Sequence, residues 1–353
     1  MGGMSRALFL LLIGGLAVHA SAAPLPGAGA PMPAYPDPLG VAAPVAGVSG
    51  GALLVGGGAN FPHGSPWEGG KKVWHDTVYA LAPGATNWTP AGRLPRTLAY
   101  AVTLTTPEGI LVAGGSDADR HYADCFLLRW DGVKLEMESL PALPMPVANA
   151  CGALIGRVVF VAGGEAAPGV TAALTNMWAL HLDARAGDWM PTPGWPGPAR
   201  TLAAAGVLQR QLVLVGGVAL SADPAGKPAR RYLNDAYAYD PMRATWRRLA
   251  DLPNPVAAAP SPLTAVADTR LLVLGGDDGS KYGFQPVQEH PGFPPRILAY
   301  DARANVWSAA GALPVCRVTV PAVEWGGLTV IPSGEMRPGV RSPEVRGYRW
   351  EGP

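Results

Sequence analysis

The sequence predicts an all-β fold: a six-bladed β-propeller whose last blade is closed by a strand from the N-terminus. Six apolar runs each end in small residues, nearly always two glycines: Ala52–Gly57, Ile110–Gly115, Val158–Gly164, Leu212–Gly217, Leu271–Gly276 and Leu328–Gly334. They recur roughly every 50–60 residues, the period of a propeller blade; a sandwich predicts neither this period nor the matching ends. Gly 46 and Pro 38 among 353 residues are spaced between the runs, so they punctuate strands and do not mark disorder.

Each unit repeats one order of elements. A first strand follows a Leu-Pro and a polar or small residue, as at Leu94-Pro95-Arg96 and Leu252-Pro253-Asn254. The second strand is the apolar run, ended by glycine where positive φ or close backbone approach excludes a side chain. The third carries an aromatic or aliphatic residue such as Tyr79, Tyr239 or Tyr300, and Trp88, Trp189, Trp246 and Trp307 follow in one register. Blade two departs, with Leu135 at the tryptophan position, and blade three replaces the next Leu-Pro by Gly194-Trp195-Pro196. Blade six runs from near Cys316 to Tyr348–Trp350, so its fourth strand is missing from the C-terminus. Blade one begins near Leu39–Val48, which leaves Ala28–Asp37 to supply that strand, and its prolines suit an outermost edge. Joining both chain ends in one blade removes exposed sheet edges.

The chain is 48% hydrophobic and 15% charged, as a densely buried all-β core requires, and its net charge of +1 carries no basic or acidic block. Nothing recommends a nucleic-acid partner. Residues 1–22 read as a signal peptide: Arg6, an apolar run from Ala7 to Val18, then the small-residue cleavage site Ala20-Ser21-Ala22. The run is short for a membrane span. Residues 23–353 are therefore expected to form the propeller, periplasmic or secreted and free of the membrane after cleavage. Cys125, Cys151 and Cys316 are odd in number and far apart, each in a predicted strand, and read as buried free thiols. The six histidines lack ligand spacing, so neither a metal nor another cofactor is expected.

Function is sought in the loops. Those between second and third strands are long in blades one (58–73), four (218–233) and five (277–295). Long loops on one face of a rigid ring are where a site is built. They hold Asn60 and Trp67, taken as substrate-binding candidates, with Glu68, Lys71, Arg230, Arg231, Gln288 and His290. Three first strands also begin with arginine: Arg96, Arg200 and Arg317, where blades three and five hold Val147 and Val256. Guanidiniums converging on the channel mouth would bind a carboxylate by two-pronged hydrogen bonds; the structural alternative is pairing within the ring.

The repeat grammar resembles the kelch family over nearly the whole mature length. Within it, Gly334-Glu335-Met336-Arg337-Pro338-Gly339-Val340-Arg341 resembles the catalytic segment Gly-Glu-x-x-Pro-Gly-x-Arg of the N-acetylneuraminate (sialic acid) mutarotases, or epimerases. The segment Gly57-Gly58-Ala59-Asn60-Phe61-Pro62, followed by Pro66-Trp67-Glu68-Gly69-Gly70-Lys71-Lys72, is similar to their cyclically permuted branch, in which the chain starts at a different blade. The resemblance implies interconversion of α and β anomers of N-acetylneuraminate, with Glu335 and Arg341 as the functional pair, and a homodimer. Blade three offers a control: Gly164-Glu165-Ala166-Ala167-Pro168-Gly169-Val170-Thr171 has the same turn without the arginine.

Such a reaction suits a carboxylate that moves protons between the anomeric hydroxyl and the ring oxygen. Arginine, with a pKa above about 12, would hold an acidic small-molecule sugar or stabilise charge. Two other functions fit a propeller of this kind. Copper radical oxidases share the propeller, but no Tyr, His and Cys ligand set exists here. A secreted, non-catalytic kelch module binding a protein or glycan predicts that the arginines do not converge on a pocket.

Overall fold

The computed structural model describes residues 26–184 and 187–350; the signal-peptide assignment lies outside the described residues. Six four-stranded antiparallel sheets follow one another along the chain. Blade one comprises Val45–Ser49, Ala52–Gly56, Thr77–Leu81 and Thr89–Arg93, in that spatial order. Blades two to five repeat it. In blade six, Val323–Trp325, Leu328–Pro332 and Val345–Trp350 are completed by Pro26–Pro31, which pairs only with the last of them. The closing strand thus lies slightly earlier than Ala28–Asp37. Beyond Pro31 the chain turns inward, where Pro33 offers its carbonyl to Trp88 Nε1 and Tyr35 donates its amide to Pro343.

The apolar runs are the second strands, buried on both faces because each blade is covered by a neighbour on either side. Among the described residues one large apolar cluster fills each blade junction, including the one that joins blade six to blade one through Val330, Leu53 and Tyr35. The fourth strands of blades one to five face outward and are largely exposed. Their tryptophans clasp the ring. Trp189 Nε1 donates to Pro141 O, Trp246 Nε1 to Pro193 O and Trp307 Nε1 to Ala250 O, each reaching the chain that leaves the preceding blade. In blade two, Leu135 takes this place by packing on Gly92.

The channel mouth is stitched by backbone. Ala43, Tyr100, Asn149, Leu202, Ala258 and Thr319, one per blade, all adopt positive φ between 51° and 62°. Each donates its amide to the carbonyl of the equivalent residue in the preceding blade, and Ala43 N–H closes the circle on Thr319 O at 2.6 Å. Six residues held in the left-handed region cost on the order of 1 kcal/mol or more each. A closed set of hydrogen bonds over-determines them. The channel below is narrow, about 80 Å³, lined by Ala101, Cys151, Ala203 and Pro262.

The glycine ends have a steric cause. A Cβ on Gly216 would stand 2.0 Å from Val256 O, in the segment leading into the next blade. Blade six differs: Ser333 occupies the equivalent position at φ 72°, and its hydroxyl lies within hydrogen-bond reach of Val41 and of Ser342 O. Here the two ends of the chain meet. The three cysteines are free and buried, as expected, and burial pushes the thiols of Cys125 and Cys151 up to about 12. Cys316 lies in a lead-in segment and not in a strand; it accepts the Gly276 amide.

Candidate active site

Glu335 and Arg341 are cross-strand neighbours. Glu335–Arg337 and Val340–Arg341 form a small hairpin joined by Pro338-Gly339, and Glu335 stands opposite Arg341 in its register. The motif spacing is therefore that of a hairpin: proline presets the first turn residue and Gly339 supplies φ 80° at the second. Gly339 donates its amide to Glu335 Oε1 at 2.9 Å. Arg341 Nη1 lies 3.2 Å from the same oxygen, but no N–H is aimed along that line, so the contact is an ion pair without a hydrogen bond. Arg341 is otherwise packed away, its side chain 4% exposed, with Nε on Ala59 O and the guanidinium 4.8 Å from the Phe61 ring centre. Glu335 Oε2 accepts no hydrogen bond from the described residues.

Two cavities adjoin at Glu335, Val287 and Pro338. The smaller, about 410 Å³, is lined by Phe61, Trp67, Lys72 and Arg341 from the blade-one loop and the hairpin. The larger, about 650 Å³, is lined by Arg230, Tyr232, Asp277, Phe284 and His290 from the loops of blades four and five. The three long loops thus meet the hairpin, and the structure brings Trp67, Arg230 and His290 to Glu335. Trp67 is held by contact: a Cβ on Gly339 would meet Pro66 Cγ at 2.5 Å and Trp67 Cζ3 at 3.2 Å. Five cations, Lys72, Lys227, Arg230, Lys281 and Arg341, line the two cavities against two carboxylates, Asp277 and Glu335. The surroundings favour an anionic ligand.

Asp277 and Tyr232 were not among the sequence candidates. Asp277 follows Gly275-Gly276 in the register in which Glu335 follows Gly334, and each pairs with the lead-in segment of its own blade. That repeat register was the available signal. Tyr232 donates its hydroxyl to Asp277 Oδ2 at 2.7 Å, and burial first, then the Asp277 charge, raises the phenol above its ordinary range. His290 is buried between Phe284 and Phe293, both with ring centres 5.6 Å away. Its Nδ1 accepts the Gly292 amide, which leaves the proton of the neutral ring on Nε2. Burial holds its pKa below the usual 6.5.

The three arginines are not brought together. Arg200 is 0% exposed and forks onto both oxygens of Asp235 at 2.9 and 2.8 Å, with Trp195 and Tyr237 against its guanidinium. Arg317 is buried on Glu344 and Ser342. Arg96 pairs with Asp124 at 2.7 Å over the ring of Tyr122. None borders the two cavities. The reason lies in the lead-in segments, which place these residues before the channel-mouth residue and turn them back to an acid immediately preceding the third strand of the same blade. Arg96 is also two positions out of register, and Leu98 is the true equivalent of Arg200. Asn60 is a brace: it is 1% exposed, donates to Asp37 and Gly40 O, and meets His75 at 2.8 Å. Glu165, in the blade-three copy of the motif, accepts the Thr201 hydroxyl at 2.8 Å and borders neither cavity.

Among the described residues no three His, Cys, Asp or Glu side chains gather as a metal set, and no helix is long and apolar enough to cross a membrane.

The model of the N-acetylneuraminate epimerase family matches residues 27–137 and 140–284. Named N-acetylneuraminate epimerases are similar to this chain: one from Brucella melitensis biotype 1 is 42% identical over 248 residues, covering 62% of this chain and 61% of the relative. One from Brucella suis is 40% identical over 248 residues, with the same coverage. One from Salmonella arizonae is 27% identical over 240 residues, 60% of this chain and 59% of the relative. The chain thus spans about three-fifths of the length of these curated relatives, and the matched family segments stop before the Glu335–Arg341 hairpin. With well over half of its residues matched by the family model, the chain belongs to the N-acetylneuraminate epimerase family.

Proposed function

We propose that this protein is a mutarotase that interconverts the α and β anomers of N-acetylneuraminate by opening and closing the sugar ring. The observation that carries the proposal is the state of Glu335: one carboxylate oxygen is pinned by Gly339 and Arg341, while the other takes no hydrogen bond from the described residues where the two cavities adjoin. The free oxygen removes the anomeric hydroxyl proton. The anomeric C–O pair becomes a carbonyl, the bond to the ring oxygen breaks, and that oxygen takes a proton from the carboxyl just formed. Rotation about the bond between the carbonyl carbon and the adjacent ring carbon presents the other carbonyl face, and the same steps in reverse close the opposite anomer. The two oxygens concerned are bonded to one carbon, so a single carboxylate can serve both.

General acid–base catalysis of this kind contributes about 10²–10⁴-fold. The Arg341 guanidinium offers fixed positive charge to the anion in the site. The family matches ending before the hairpin suit a cyclic permutation, with the functional hairpin carried in the last blade. The leader at residues 1–22 supports a periplasmic or secreted setting, which cell fractionation tests.

The direct test is NMR of freshly released α-N-acetylneuraminate with purified protein. The anomers are expected to equilibrate well ahead of buffer; an unchanged rate rejects the reaction and favours a non-catalytic module that binds a protein or glycan.

A further inference from the structure

We propose that Lys72 is the second anchor of the substrate carboxylate, acting with Arg341 on the wall of the smaller cavity. The inference rests on the sugar-acid reading above and replaces the arginine trio as the source of acid recognition. Lys72 lies at the end of the blade-one loop. Its ammonium is surrounded by aromatic rings: Phe61, Trp74 and Tyr100 at 6.0, 5.4 and 5.4 Å from their centres. It donates one hydrogen bond, to Tyr100 Oη at 3.1 Å, and pairs with no carboxylate among the described residues. Two of its three N–H donors are unused.

The contrast with the other half-buried and buried cations is informative. Arg96, Arg200 and Arg317 each have an acid of their own. Among the described residues Lys72 has one phenol hydroxyl and three π-faces, which fix a cation in place without neutralising it. Arg341 flanks the same Phe61 ring, lines the same cavity, and keeps a buried Nη1 without a hydrogen bond. An immobilised ammonium and an incompletely bonded guanidinium on one wall make a pre-organised anion site.

Position supports a carboxylate in particular. In a 2-keto sugar acid the carboxylate is bonded to the anomeric carbon itself. The group that holds it must therefore share a wall with the base. Glu335 borders the cavity that contains Lys72 and Arg341. The remaining cations, Lys227, Arg230 and Lys281, border only the larger cavity and stand exposed on their loops.

The test uses the methyl α-glycoside of N-acetylneuraminate, which cannot open, and its neutral C1 methyl ester, titrated by calorimetry against the full protein. Wild type is expected to prefer the acid by about tenfold or more. Lys72→Met should lose most of that preference with ester affinity unchanged, and Lys72→Arg should keep it. Lys72→Gln serves as the second neutral variant if the methionine form misfolds. Acid and ester weakening in parallel, an unchanged preference, or no binding of the acid to wild type overturns the proposal. Mutarotation is assayed separately: binding with discrimination but no anomer exchange rejects the reaction and leaves the anchor standing.

Discussion

Gly339 donates its amide to Glu335 Oε1 across the hairpin turn at 2.9 Å, and the Glu335 carboxylate is thereby oriented with its other oxygen free of hydrogen bonds from the described residues. Because Gly339 also packs on Pro66 and Trp67, one residue couples the aim of the carboxylate to the seating of the blade-one loop. Gly339→Ala would force a Cβ to within 2.5 Å of Pro66 Cγ at a φ of 80°. We expect a stability loss of about 1–3 kcal/mol and a rise in KM as Trp67 shifts. Melting and steady-state kinetics on one preparation check both, and unchanged KM would contradict the coupling.

Arg200 and Asp235 predict the opposite division. The pair is buried and forked, and neither residue lines either cavity. Arg200→Met leaves a buried carboxylate without its cation and should cost about 3–5 kcal/mol. Denaturant unfolding measures this, and adding Asp235→Leu should return part of the loss. Anomer exchange by the folded variant should match wild type. A variant that is stable but inactive would restore Arg200 to the site.

Stability should fall on acidification in two stages. Burial alone would raise Asp235, but the Arg200 and Tyr237 hydrogen bonds outweigh it and hold the carboxyl below its usual 3.8. Glu344, under Arg346 and Arg317, is likewise held below 4.5. A carboxyl depressed in the folded state contributes stability above its unfolded pKa, lost as pH falls through the folded one. This stage therefore begins near pH 4. His290 acts earlier. Burial depresses it below 6.5, helped by Arg337 and Lys281 and opposed by Asp277 and Glu335, so the unfolded chain binds the proton first. Stability then declines as pH drops through about 6.5. Melting temperatures from pH 7.5 to 5 should fall less steeply in His290→Gln; parallel curves would count against a depressed His290.

Ser333 ties the chain ends at the ring closure. Ser333→Gly suits the backbone at φ 72° but removes the acceptor of the Val41 amide and the hydroxyl contact to Ser342 O. A buried amide left unsatisfied costs about 1–3 kcal/mol. Thermal unfolding should show that loss, whereas a gain would mean that backbone strain outweighs the hydrogen bonds.

Much of this was legible in the chain. The six apolar runs are the second strands, and both chain ends meet in blade six. Glu335 and Arg341 are six apart because a Pro-Gly hairpin sets them opposite each other. The long loops of blades one, four and five do line the cavities. The arginines were misplaced because an arginine near a blade's start can face the channel or fold back, and its partner decides. That partner stands far along the chain: Asp235 for Arg200 and Glu344 for Arg317, whereas Asn176 and Arg296 hold the corresponding places in the valine blades. Read as pairs, the repeats would have shown ring-internal ion pairs. Lys72 could not be singled out, since its cage is assembled from positions 61, 74 and 100 only when the loops pack.

The most direct test of the central claim is the anomer exchange rate of N-acetylneuraminate at equilibrium, measured by NMR exchange spectroscopy with wild type and with Glu335→Gln. The glutamine can still accept from Gly339, so the hairpin should persist while the base is lost. Wild type should accelerate exchange, and Glu335→Gln should lose about 10²–10⁴-fold of that acceleration. A folded Glu335→Gln protein that exchanges anomers as fast as wild type would contradict the assignment of Glu335 as the base.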